Sequence, residues 1–148
     1  MIKFILGKSG SGKTKWLIDQ ANNDKKTGHG NIVFIDVEDS HIFSLDHQIR
    51  LINATDFNIN NMDRLFGFLG GIISKDYDIE KIYVDAIYEV IPYDEVSYTE
   101  LYKVLDFISS EFQVDFFFGL DKKEEELPEI LRKHVEILQA LLRSEEVV

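Results

Sequence analysis

Gly7-Lys8-Ser9-Gly10-Ser11-Gly12-Lys13-Thr14 is the stretch on which the fold turns, because it spells G-x-x-x-x-G-K-[ST] between an apolar run and a helix-compatible one. Upstream, Met1-Ile2-Lys3-Phe4-Ile5-Leu6 reads as a short strand; downstream, the residues from Lys13 to Ala21 read as the start of a helix. Glycines in such a turn let consecutive backbone N–H groups face inward and cradle phosphate oxygens, and the helix behind adds its positive end. Lys13 is placed to bring an ammonium to β- and γ-phosphates, and the Thr14 hydroxyl to join the shell of a bound Mg²⁺. Gly7, Lys8, Ser9, Gly10, Ser11, Gly12, Lys13 and Thr14 are thus the expected phosphate-binding residues. The alternative is a glycine turn that only caps a helix.

Outward from this loop, apolar runs alternate with helical periodicity, the pattern of βαβ units and a largely parallel sheet. Further strands are expected at 31–36, 48–53, 81–87 and 114–120. Helices are expected up to Thr27-Gly28, from 61 to about 76, from an S-x-x-E capping box at Ser97 and Glu100, and from Pro128 onward. In the second of these, Leu65, Phe66, Leu69, Ile72 and Ile73 share a face, and Gly70-Gly71 is expected to let the helix approach the sheet closely. In the last, Ile130, Leu131, His134, Leu138 and Leu141 fall on one side. The expected fold is α/β: a three-layer sandwich with a five-stranded, mainly parallel sheet and helices on both faces, in a single domain over residues 1–148.

With 148 residues, 45% of them hydrophobic and 12% aromatic, the chain can bury one sizeable core. Its net charge of −11 repels nucleic acid and anionic membranes, so neither is an expected partner. Without cysteine there are no disulfides, thiolate metal sites or cysteine nucleophiles. No apolar stretch is long enough to cross a bilayer, and the opening residues read as a core strand rather than a signal peptide, so the expectation is a cytoplasmic protein. His29, His41, His47 and His134 show no metal-ligand spacing and read as loop or surface residues.

Parallel α/β sheets bind ligands beyond the carboxyl ends of their strands, which makes Asp36, Glu38 and Asp85 the acidic candidates. Asp85 closes Ile82-Tyr83-Val84-Asp85, an apolar strand that delivers a carboxylate to the Mg²⁺ side of a nucleotide site. Phe34-Ile35-Asp36-Val37-Glu38 resembles the F-I-D-x-E segment of RecA-type ATPases and falls one helix after the phosphate loop, as in that family. From residue 1 to about 120 the order of motifs is similar to a minimal RecA-like core of the P-loop NTPase superfamily. The resemblance implies that Glu38 polarises the attacking water, beside Lys13 as the second catalytic residue, with Thr14 and Asp85 on the metal. It implies Mg²⁺ as cofactor and ATP as ligand or substrate. Turnover is expected to be slow: the strand at 114–120 runs into Gly119-Leu120-Asp121 instead of ending in a polar sensor, and none of Arg50, Arg64, Arg132 and Arg143 stands out as a finger.

Two other functions fit the sequence. One is a small-molecule or nucleoside kinase, with Lys122-Lys123 as a lid-like basic pair; the other is a nonenzymatic ATP-dependent switch in which residues 37–46 order for a protein partner. The RecA-like strand order places 114–120 between 1–6 and 81–87 and leaves 1–6 at an edge. Bare apolar edges invite pairing, so the C-terminal segment or a second copy of the chain, as a homodimer, is expected to cover it.

Overall fold

A computed structural model describes residues 1–146. Six strands form one sheet: β1 (Ile2–Leu6), β2 (Asn31–Asp36), β3 (Arg50–Asn53), β4 (Ile79–Val84), β5 (Asp115–Leu120) and β6 (Val135–Ile137). Their order across the sheet is β3-β2-β4-β5-β1-β6, and every neighbouring pair is parallel. A parallel sheet needs crossover helices and is covered on both faces, which explains the near-continuous burial of β1, β2 and β5.

Helices α1 (Lys13–Thr27) and α5 (Leu138–Glu146) cover one face, where Trp16, Leu17, Ile18, Ala21 and Leu138 pack on Ile5, Phe34, Tyr83 and Phe117. On the opposite face α2 (Met62–Lys75) and α3 (Glu95–Phe112) bring Leu65, Leu69, Leu101, Leu105 and Ile108 onto Phe4, Ile82, Val84, Phe116 and Phe118. The short α4 (Glu129–Arg132) adds Leu131 to that second core.

The sheet has six strands rather than the expected five, and the extra one comes from the C-terminal segment. The continuous last helix expected from Pro128 is instead α4, then β6, then α5. The physical reason is the open side of β1: its backbone groups are paired by Phe4, Ile5 and Leu6 lying against Val135, Glu136 and Ile137, and the Phe4 N–H donates to the His134 carbonyl at 2.8 Å. β-Branched Val135 and Ile137 suit that extended run. The helical spacing of Leu131, Leu138 and Leu141 was therefore a coincidence of two separate helices.

Three local readings also change. Asp94, not Ser97, caps α3, its carboxylate accepting from the Ser97 N–H and, at 2.7 Å, from the Ser97 hydroxyl. An ionised acceptor two positions before the helical apolar run meets the free N–H groups better than a hydroxyl further in. Gly70 and Gly71 face solvent, and a Cβ built on either meets nothing within 4 Å, so they do not serve close helix–sheet packing. The apolar stripe of α2, with Leu65, Leu69 and Ile73 buried, turns the two glycines outward. Strand β4 ends at Val84; beyond Asp85, Ala86 takes a left-handed φ of 58° and the chain enters a 3-10 turn.

Candidate phosphate and metal site

The site is assembled at the carboxyl edge of the sheet from three pieces: the loop 7–12, the end of β2 and the end of β4. Gly10 and Gly12 adopt φ of 79° and 96°, a region that side chains with a Cβ rarely enter, and Gly12 forms the N-terminal cap of α1. The turn is closed by the Ser11 N–H donating to the Lys8 carbonyl at 3.1 Å, and the helix opens with the Trp16 N–H on the Gly12 carbonyl at 3.0 Å.

Lys13 follows at once and is buried, its Nζ donating to the Gly7 carbonyl at 2.8 Å and standing 5.3 Å from the Tyr88 ring centroid. Burial pushes the ammonium below its ordinary pKa, opposed by the negative field of Asp85, Asp121 and Glu89. Thr14 Oγ1 donates to Asp85 Oδ2 at 2.6 Å, joining positions 71 apart in the chain. Asp85 is only 2% exposed, and its Oδ1 has no hydrogen-bond partner. Desolvation raises its pKa, while the Thr14 hydroxyl and Lys13 pull the other way.

Asp36 lies beside it because β2 and β4 are adjacent, with Ile35 opposite Val84 in the ladder and the Asp85 N–H donating to the Ile35 carbonyl at 2.8 Å. The Asp36 carboxylate takes the Val37 N–H on Oδ1 at 2.7 Å; Oδ2 is buried without a partner. Burial pushes the group up to about 6. Glu38, two residues on, is half-exposed, and its Oε1 lies 2.9 Å from His41 Nε2.

Ser9, Gly10, Gly12, Lys13, Thr14, Asp36, Glu38, His41, Asp85 and Tyr88 line one cavity of about 580 Å³. The expected set is thereby divided: Gly7, Lys8 and Ser11 line a second cavity of about 570 Å³ together with Asp121, Lys122 and Lys123. None of the four arginines borders the first cavity; Arg64 and Arg132 are held by backbone carbonyls of Asn58, Leu127 and Glu125. The lining also includes residues outside the expected set, among them His41 and Tyr88. By sequence His41 reads as a loop histidine, and Tyr88 belongs to no motif. Their only signal was position: each lies three residues beyond an acidic residue in the segment that follows a strand.

Among the described residues no helix is long and apolar enough to cross a membrane. A scan against protein-family models finds no match, and a search of curated proteins finds none either.

Proposed function

We propose that this chain is a Mg²⁺-dependent ATP-binding protein of the P-loop, RecA-like kind that hydrolyses its nucleotide slowly. The observation that carries the reading is the Thr14–Asp85 contact. A loop of phosphate-cradling sequence and a strand-end carboxylate, far apart in the chain, meet at 2.6 Å beside a buried lysine. Apolar contacts alone would not select a hydroxyl, an ammonium and two carboxylates for one cavity.

The donor set fits a magnesium ion. Thr14 and Asp85 offer hard oxygen ligands, and the orphaned Asp85 Oδ1 is a buried anionic atom that a cation would satisfy. When bound with the nucleotide, the ion neutralises charge on the β- and γ-oxygens. Lys13 exchanges the Gly7 carbonyl for a phosphate oxygen. Glu38 accepts the proton of a water that attacks the γ-phosphorus; the bond to the β–γ bridging oxygen breaks, leaving ADP and phosphate. The absence of an arginine from the cavity lining is consistent with low turnover.

The test is phosphate release from ATP and Mg²⁺ by wild type, Lys13→Ala and Glu38→Gln, alongside calorimetric binding. Equal release by all three ends the hydrolase reading, and no heat with any nucleoside di- or triphosphate ends the binding reading. A phosphotransferase is the second reading, favoured by the cavity in which Lys122 and Lys123 stand next to Gly7, Lys8 and Ser11. Phosphate appearing on a small acceptor rather than on water would select it.

A further inference from the structure

The end of β2 gathers three metal-binding side chains that the nucleotide reading does not need as a group. Asp36, Glu38 and His41 each present one ligand atom, and these atoms lie within 4.8 Å of one another. A second observation is independent of that clustering. Asp36 is 1% exposed, yet one of its two carboxylate oxygens has no hydrogen-bond donor, while the other is held by the Val37 N–H. A buried anionic oxygen without a partner is costly, and a cation removes that cost more completely than a neutral donor.

We infer that Asp36, Glu38 and His41 form a cation site of their own, which takes a first-row divalent metal ion through two carboxylates and one imidazole. Imidazole beside carboxylates suits Zn²⁺ or Mn²⁺, whereas Mg²⁺ and Ca²⁺ favour oxygen alone. The site is distinct from the Thr14–Asp85 pair and uses no residue of the loop 7–12. Asp36 is its rigid member, fixed by pairing opposite Asn53 of β3 and by the Val37 N–H. Glu38 and His41 are the adaptable members, with side chains 55% and 29% exposed. Their present contact of 2.9 Å would be exchanged for two bonds of about 2.0–2.2 Å to the metal. Glu38 cannot bind a cation and stay free to accept a proton from water, so the two uses are alternative states of one carboxylate.

The experiment is calorimetric titration of the full chain, stripped with chelator and free of nucleotide, with Zn²⁺ and separately with Mn²⁺. One ion per chain is expected, with affinity at least about tenfold lower in His41→Ala and in Glu38→Gln, and unchanged within about twofold in His47→Ala, an exposed histidine outside the cavity. Glu38 is exposed and His41 partly so, and circular dichroism checks that both ligand variants fold. In Mn²⁺ electron spin echo spectra, nitrogen modulation from a bound imidazole should be present in wild type and lost in His41→Ala. No saturable binding up to millimolar ion would overturn the inference. So would binding that survives His41→Ala and disappears in Thr14→Ala, since the ion would then sit at the phosphate loop. With nucleotide left out, the result is independent of whether the chain binds ATP.

Discussion

Ser9, Gly10 and Gly12 of the loop 7–12 and Asp36, Glu38 and His41 at and beyond the end of β2 face the same cavity but are built on opposite terms. The first is a backbone solution, in which two glycines with positive φ shape a turn out of consecutive residues. The second is a side-chain solution: Asp36, Glu38 and His41 matter because β2 lies next to β4 and brings them opposite Lys13, Thr14 and Asp85. In the loop most residues are exposed, and the buried charge that follows it, Lys13 at the start of α1, is cationic; at the strand ends the two buried charges are carboxylates, each with an oxygen left unpartnered. Charges of opposite sign are thus held on the two walls of one cavity. The lesson is that the cavity is made by both walls, but only one of them is written as a contiguous string.

Substitutions on the two walls should separate binding from turnover. Lys13→Ala removes the only buried cation among the described residues and is expected to weaken ATP binding by about 100-fold or more in calorimetry, roughly 2.7 kcal/mol. An affinity within threefold of wild type would mean that the loop does not grip phosphate. On the other wall, Glu38→Gln should lower phosphate release by about 10- to 100-fold. Its ATP affinity should stay close to wild type, and a parallel loss of binding would show that the segment 37–41 is part of the grip.

Asp36→Asn tests the cost of the buried carboxylate. A pKa raised to about 6 in the folded chain, against 3.8 for a free carboxyl, means the folded state holds the proton more tightly. The contribution of Asp36 to stability is therefore fully present below about pH 3.8 and is lost as pH rises through about 6. In chelator-containing buffer at pH 8 the Asn variant, which keeps an acceptor for the Val37 N–H, should gain on the order of 2 kcal/mol in urea denaturation. That gain should shrink towards pH 4. A gain that does not depend on pH would exclude desolvation of Asp36 as its source.

The smallest effects sharpen the contrast through glycine. Gly12→Ala enters a left-handed conformation in open space, so it should cost about 1–2 kcal/mol through backbone strain alone. Gly70→Ala, also in open space but on the exposed face of α2, should stabilise by about 0.5–1 kcal/mol through helix propensity. Thermal or urea melts read both. Equal signs would show that the loop geometry is not what restricts position 12.

Much of the architecture was legible where one period or one motif dominates. The five strands 1–6, 31–36, 48–53, 81–87 and 114–120 are all found, shifted by at most three residues at either end, because short apolar runs bounded by turns have few other uses. The C-terminal segment misled: Leu131, Leu138 and Leu141 satisfy a helical period, but the free edge of β1 claims the residues between them. Local propensity carries no record of a distant edge. Asp94 and Ser97 show the same limit at short range, since both are good caps and only the start of the buried face decides between them. At the site, Lys13, Thr14, Asp85 and Glu38 could be named from motif and order, whereas His41 and Tyr88 could not, their types being common in loops.

The sequence by itself determined the glycine loop and the alternation of strands and helices, because these depend on neighbours along the chain. The tertiary structure alone decided that the edge of β1 is covered by the C-terminal segment in the form of a sixth strand, that Gly7, Lys8 and Ser11 turn to a different cavity, and that Asp36 and Asp85 are buried side by side. Those outcomes depend on which backbone edges pair and which side chains lose water, and both are set by groups far apart in the chain.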